Sequence, residues 1–153
     1  MPTATEIERQ VAEAGGGFAV FNRAGAPPEV WIYGMVGEPD DGVTAKQFRK
    51  ELDGLSAARE IYVRINSAGG LTGDGLGIYN SLKRHPARVI VEIDGIALSA
   101  ASFIAMAGDE IRMAENALMM IHNAWGFAAG DSVELRKKAD QFDQWTASIV
   151  GIY

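Results

Sequence analysis

Apolar and polar positions along the chain follow two periods in turn, and the switches between them divide it into elements. The first stretch is polar. Thr3 or Thr5 can cap Glu6-Ile-Glu-Arg-Gln-Val-Ala-Glu-Ala14, and Gly15–Gly17 stops the run, which predicts a peripheral N-terminal helix within residues 1–17. Phe18–Phe21 and Glu29–Val36 are rich in β-branched and aromatic residues and flank a Gly25-Ala-Pro-Pro28 turn, so both read as strands. After a break at Glu38-Pro-Asp-Asp-Gly42, the positions Phe48, Leu52 and Leu55 take up helical spacing from Thr44 onward. Glu60–Ile65 returns to a strand pattern and delivers the chain to a loop, Asn66-Ser-Ala-Gly-Gly70. Leu71, Leu76, Ile78, Tyr79 and Leu82 then suit a helix ending near Lys83-Arg84-His85-Pro86, although Gly73, Gly75 and Gly77 weaken its first turn.

The second half repeats the alternation. Arg88–Asp94 is an apolar strand that the pattern stops at Gly95, and Ser99 opens a segment of helical spacing through Ala107-Gly108. Asp109–Glu115 reads as a connection, and Ala117-Leu-Met-Met-Ile121 as a buried strand ending in His122. From Asp131 to Val150 the chain is strongly helical, with Leu135, Phe142, Trp145, Ile149 and Ile152 forming an apolar stripe at heptad spacing. Strands alternating with helices predict an α/β fold with a mostly parallel sheet. Residues 18–153 form its single domain, which ends in a long helix over 131–150.

Composition narrows the chemistry. With 153 residues, 48% of them apolar, the chain suits one domain with a sizeable core. A net charge of −6 and no run of Lys or Arg argue against nucleic acid as a partner. The absence of cysteine excludes disulfides, thiolate metal sites and a cysteine nucleophile. The N-terminus has no basic segment followed by an apolar core, and no uncharged apolar run reaches membrane-spanning length, so a cytoplasmic protein without a membrane partner is expected. Two histidines far apart in sequence, and no carboxylate at helix or strand spacing from His122, give no support for a metal site. Gly73-Asp-Gly75 is a fragment of a dinucleotide fingerprint, but the spacing to a third glycine fails, and no cofactor is expected.

The residues that carry chemistry are Ser99 and His122. Ser99 lies where a strand turns into a helix, so unpaired N–H groups and the positive end of the helix dipole can stabilise an oxyanion beside its hydroxyl. His122 follows a strand and supplies a base. Taken singly, a serine at such a junction is commonly an N-cap and a lone histidine after a strand is commonly structural. The combination is more specific, because Gly70, Ser99 and His122 all follow strand ends, where α/β sheets gather their sites. Ser102, one turn into its helix, is expected to bond back to the backbone or to pack, and Ser67 to serve loop structure. His85 reads as an exposed helix-end residue interacting with the dipole. Lys137 and Lys138 rank below His122 as the base of a Ser-Lys dyad, since they lie on the polar side of an exposed helix.

Ile65-Asn-Ser-Ala-Gly-Gly70, Gly77-Ile-Tyr-Asn80, Gly95-Ile-Ala-Leu-Ser-Ala100, Ala107-Gly108 and Met120-Ile-His122 together resemble the ClpP family of serine peptidases. In particular they resemble the ClpP-related head maturation proteases of tailed phages and prophages, over about Val30 to Tyr153. The resemblance implies a ClpP/crotonase-like fold of repeated β-β-α units. It implies that Ser99 is the nucleophile, His122 the general base, and the amides of Gly70 and Ala100 the oxyanion hole. An extended protein substrate would pair with the strand following Gly70, which makes Gly69 and Leu71 substrate-binding residues. The partners implied are further copies in a homo-oligomeric ring, with the last helix interlocking two stacked rings, and in a housekeeping role an ATPase chaperone. Substrates would be capsid or scaffold proteins, or unfolded chains.

Two departures from the family pattern are Ala68, where proline usually precedes the glycine pair, and a slightly short interval between Ser99 and His122. The family's third catalytic residue is an aspartate beyond Tyr153, so a C-terminal part is expected to be missing, and Asp131, Glu134, Asp140 and Asp143 are expected on a solvated helix face. Two other functions fit less well. One is a catalytically incomplete assembly protein of the same fold, the other a crotonase-type acyl-CoA enzyme that would use carboxylates in place of the Ser-His pair.

Overall fold

The computed structural model describes residues 17–40 and 42–153. The helix expected from Thr3 or Thr5 to Ala14 lies outside the described residues. A six-stranded sheet forms the centre, built from β1 (Phe18–Phe21), β2 (Glu29–Ile32), β5 (Glu60–Ser67), β6 (Arg88–Leu98), β7 (Glu110–Met113) and β8 (Leu118–Met120). The order is β1-β2-β5-β6-β7, with β8 pairing the far end of β6. Only β1 and β2 pair antiparallel in this sheet; the other pairings are parallel, as the strand-helix alternation predicts.

In β5 burial alternates strictly, with Ile61, Val63, Ile65 and Ser67 facing inward. Three helices cover that face. They are α1 (Ala45–Asp53), which buries Phe48 and Leu52, α2 (Thr72–Lys83), which buries Ile78 and Leu82, and α3 (Ala100–Ala105), all six of whose residues are buried. The glycines of α2 cost helix propensity but allow close contact: a Cβ on Gly75 would lie 2.7 Å from the Phe103 ring, and one on Gly77 2.7 Å from the Ala45 side chain. The other face is polar. Arg64 pairs with Asp94 and Glu92, Arg112 bridges Glu92 to Glu110, and Arg64 lies 5.0 Å over the Trp31 ring. Tyr33 donates to Asp94 there at 2.6 Å, and burial together with that carboxylate pushes its phenol well up.

The structure corrects three expected strands and one expected connection. Glu29–Val36 is not one strand: β2 ends at Ile32, and Met35–Val36 form β3, which pairs with β4 (Gly42–Val43) in a separate small sheet. The division occurs where Tyr33 and Gly34 donate to the Gly17 carbonyl and the Gly34 carbonyl accepts from Ser67 Oγ, which draws the chain out of the main sheet. Gly95 does not end β6, which runs on to Leu98. Ile65 pairs Ile93 but Ser67 pairs Ala97, so Asp94, Gly95 and Ile96 together oppose Asn66 alone in a bulge. Asn66 Oδ1 accepts from the Ile96 N–H at 3.2 Å, and a Cβ on Gly95 would come within 2.6 Å of that oxygen. Asp109–Glu115 is not a bare connection, because β7 within it pairs β6 from Ile90 to Ile93. β8 is present but not buried, with Leu118 64% exposed.

The long helix α4 (Ser132–Val150) forms as expected, started by a capping box in which Asp131 accepts from the Val133 and Glu134 amides and Glu134 accepts from the Asp131 amide. Only its C-terminal half meets the rest of the domain. Ile149 is buried, Phe142 and Trp145 are half-buried, and Leu135 stays exposed. No helix among the described residues is long and apolar enough to cross a membrane.

His85 differs from its expected role. It is half-buried, its Nδ1 accepts from the Ala87 N–H at 3.2 Å, and its Nε2 is sequestered without a hydrogen-bond partner. Protonating Nδ1 would set an N–H against the Ala87 N–H, so the fold requires the neutral ring. Burial correspondingly lowers its pKa, against weaker opposing effects of the Leu52 backbone and Asp53. A base whose folded pKa lies below its unfolded value, about 6.5, leaves stability intact above that pH and withdraws it as pH falls below. The expected result is a urea midpoint that drops between about pH 7 and about pH 5. His85→Asn, which cannot titrate, should flatten that dependence, and an equally steep fall in the variant would contradict the assignment.

Candidate active site

Ser99 sits between β6 and α3 with φ 52° and ψ −122°, the one non-glycine residue among those described with positive φ. Such a conformation costs about 1–3 kcal/mol and persists only where its surroundings hold it. The restraints are visible. The Ser99 N–H donates to the Met120 carbonyl at 2.9 Å, and the Ser99 carbonyl accepts from both the N–H and the hydroxyl of Ser102. With the backbone held, the side chain is directed at His122, and Ser99 Oγ lies 2.8 Å from Nε2. On the other side of the ring, Nδ1 lies 2.6 Å from the Asn123 carbonyl oxygen. A carbonyl only accepts, so Nδ1 carries the proton in the neutral ring, and Nε2 is left as the acceptor for the Ser99 hydroxyl. That tautomer is the one in which His122 can take a proton from Ser99.

The glycine loop closes over this elbow. Gly69 has φ +90°, and a Cβ there would fall 2.5 Å from the Leu98 carbonyl oxygen, 2.7 Å from Ser99 Cβ and 2.8 Å from the Ala100 nitrogen. Its own N–H donates to Ser67 Oγ and its carbonyl accepts from Val36, so Gly69 is a packing residue whose backbone groups are already engaged. Val36 also accepts from the Leu71 N–H. Gly70 stands between those two bonds in a parallel bridge, which turns its own N–H and carbonyl away from Val36. Among the described residues neither the Gly70 nor the Ala100 amide donates to the backbone, as expected of a loop residue turned outward and of the first residue of a helix. No strand follows Gly70: Leu71 is 55% exposed and caps α2 directly.

Gly70, Ser99 and His122 line one small cleft with Thr72, Phe103 and Ala124 and with Trp125, Ile149 and Tyr153 from the C-terminal region. The first three are the residues singled out by sequence. Tyr153 was not, because nothing in sequence spacing shows that the chain after α4 returns to α3, where the phenol oxygen meets Ser102 Oγ. Ser67 serves loop structure as expected, bonded to Gly34 and Gly69. Lys137 and Lys138 are exposed on α4. Of the acids after His122, Asp131 and Glu134 are occupied in capping, Asp140 and Asp143 are exposed, and among the described residues no carboxylate bonds His122.

A family model for Clp protease matches residues 34–153. The chain is 36% identical over 91 residues to an ATP-dependent Clp protease proteolytic subunit of Ligilactobacillus salivarius, covering 58% of this chain and 46% of that one. It is 31% identical over 112 residues to an ATP-dependent Clp protease proteolytic subunit 1 of Prochlorococcus marinus, covering 70% of this chain and 57% of the relative. The chain belongs to the Clp protease family. It spans about half the length of the curated relatives it matches.

The contact between Gly69 and the elbow gives a direct test. Gly69→Ala places a methyl against rigid backbone at positive φ and is expected to destabilise the protein by about 1–3 kcal/mol. Gly73→Ala, which meets nothing within 4 Å inside α2, should be neutral or stabilising by up to about 1 kcal/mol. Urea unfolding of the pair checks this, and equal midpoints would show that the loop is not held against Ser99.

Proposed function

We propose that the protein is a serine endopeptidase in which Ser99 is the nucleophile, His122 the general base, and the amides of Gly70 and Ala100 the oxyanion hole. The observation that carries the reading is the Ser99 Oγ to His122 Nε2 contact of 2.8 Å, made with Nδ1 held on the Asn123 carbonyl. In the first step Oγ attacks the peptide carbonyl as its proton passes to Nε2, and the carbonyl electron pair moves onto oxygen facing the two amides. Collapse of that intermediate breaks the C–N bond, and the imidazolium returns its proton to the leaving amine. Water then repeats the sequence on the acyl-enzyme, with His122 as base, and frees the carboxylate. The outward N–H and carbonyl of Gly70 suit backbone pairing with an extended substrate, Leu71 borders it, and Gly69 supports the elbow beneath.

The same reading extends to assembly. Leu118, Met120, Ile121, Trp125 and Phe127 are exposed beside the site, and the N-terminal half of α4 is unpacked, a surface suited to further copies in a homo-oligomeric ring. In the cytoplasm the ring would act on unfolded chains delivered by an ATPase chaperone, or in a phage on capsid and scaffold proteins. One observation favours a second reading, a catalytically incomplete assembly protein: the His122 ring is oriented by a carbonyl, whereas a carboxylate would also stabilise the imidazolium.

A serine-directed fluorophosphonate probe separates the two. Labelling of wild-type protein that maps to Ser99, with loss in Ser99→Ala and a fall of about a thousand-fold or more in His122→Ala, is the expected result. Cleavage of an unstructured casein-like substrate should fall in parallel. A folded protein that takes up no probe would leave the assembly reading, and labelling at Ser102 would overturn the assignment.

A further inference from the structure

Ser102 is fully buried, yet its hydroxyl has two polar neighbours, the Ser99 carbonyl and the Tyr153 phenol. A hydroxyl has one hydrogen. The Ser99 carbonyl has none, so the close contact with Ser102 Oγ is attractive only if Ser102 donates to it. The Ser102 oxygen can then only accept from Tyr153, which fixes the direction of the chain of bonds: Tyr153 O–H to Ser102 O–H to Ser99 C=O. Each donation polarises the next hydroxyl and strengthens the bond it makes.

The point of attachment matters. The Ser99 carbonyl defines ψ at the one non-glycine residue among those described that is held at positive φ, and it receives the Ser102 N–H at 3.0 Å as well as the hydroxyl. Loss of the hydroxyl removes half of that clamp. The peptide that relaxes is the Ser99–Ala100 peptide, whose N–H donates to no backbone carbonyl and is one of the two amides proposed for the oxyanion hole. Oγ and the Ala100 amide would therefore move together. Tyr153 joins this network from the far side, after α4, so the last helix is linked to the serine through two hydroxyls and not by packing alone.

We propose that Ser102 and Tyr153 are positioning residues that lock the Ser99 peptide in its reactive conformation, so that docking of the segment after α4 sets the reactivity of the serine. This rests on the reading of Ser99 as nucleophile, and it adds two residues that act through the Ser99 backbone, Ser102 buried behind it and Tyr153 in the lining of the cleft. Burial raises the Tyr153 phenol, which keeps the donor protonated in the neutral range.

The test is a double-mutant cycle on the full chain. Fluorophosphonate labelling rates are measured for wild type, Ser102→Ala, Tyr153→Phe and the double variant, with urea midpoints recorded alongside. Ser102→Ala should slow labelling about ten- to a hundred-fold, the scale of a misplaced reacting group. Tyr153→Phe should slow it about two- to tenfold, the equivalent of one neutral hydrogen bond. If Tyr153 acts through Ser102, adding Tyr153→Phe to Ser102→Ala changes nothing further. Additive effects, or a Tyr153→Phe protein labelled at the wild-type rate, would overturn the proposal. The isosteric Tyr153→Phe change at a half-exposed site keeps the cycle readable if Ser102→Ala folds poorly.

A second readout needs no reactivity. The Tyr153 phenol, followed by ultraviolet difference against Tyr153→Phe, should titrate at a different pH once Ser102→Ala removes its hydrogen-bond partner, and an unchanged titration would refute the contact between the two hydroxyls. Wild-type protein that took up no probe while the phenol still shifted would leave the hydrogen-bond chain standing and remove the nucleophile.

Discussion

The structure depends on the approach of two segments that leave the sheet, Gly69 just after β5 and Leu98–Ala100 where β6 passes into α3, to distances that no side chain at residue 69 would permit. That approach has its own cause. β5 and β6 run in register as far as Ile65 and Ile93, and had they continued so, the serine would have been displaced from the glycine loop by two residues. The bulge opposite Asn66 takes up the difference, with the Asn66 side chain filling it and Gly95 leaving room for it. From there the rest follows. Ser99 leaves the sheet at positive φ, Ser102 holds its carbonyl, β8 holds its N–H, and His122 arrives from the end of β8 at hydrogen-bond distance.

The two faces of the sheet have different work. On the inner face, residues alternate with period two against helices brought close by glycine, so α3 is wholly buried and its N-terminus cannot shift without disturbing Phe103, Gly75 and the core behind them. The outer face is tied by arginines spanning neighbouring strands, and their exposure means that solvent screens most of what each pair contributes. The rigidity of the site therefore comes from the packed side. The exposed apolar residues on β8, on 121–127 and along α4 lie beyond that packing.

Strand periodicity and the glycine loop made most of the fold legible in sequence, and the positions of Gly70, Ser99 and His122 at strand ends pointed to the cleft that the three line together. What escaped did so for physical reasons. Gly95 reads locally as a strand terminator because a glycine in a bulge and a glycine at a strand end look alike without the partner strand. Glu110–Met113 alternates polar and apolar residues over only four positions, too few for the alternation to stand out from a connection; it gains its order by pairing with β6 and by the arginine bridges to Glu92 and Glu110. β8 read as buried because its residues are apolar, while in this chain they are largely exposed. His85 read as a surface residue because Nδ1 acceptance from a nearby amide has no sequence signature. The contact between Tyr153 and Ser102 joins residues 51 apart and could be found only in three dimensions.

In the proposed function the Ser99 hydroxyl and the two amides of Gly70 and Ala100 form one preorganised unit. A crystal structure of the fluorophosphonate adduct tests it most directly, since the phosphonyl oxygen occupies the place of the developing oxyanion. The expected adduct carries a covalent bond to Ser99 Oγ and holds that oxygen about 2.7–3.1 Å from both amide nitrogens, with the Ser99 backbone still at positive φ. An adduct whose oxygen points into solvent, or one that forms only after the Gly70 peptide has turned over, would contradict it.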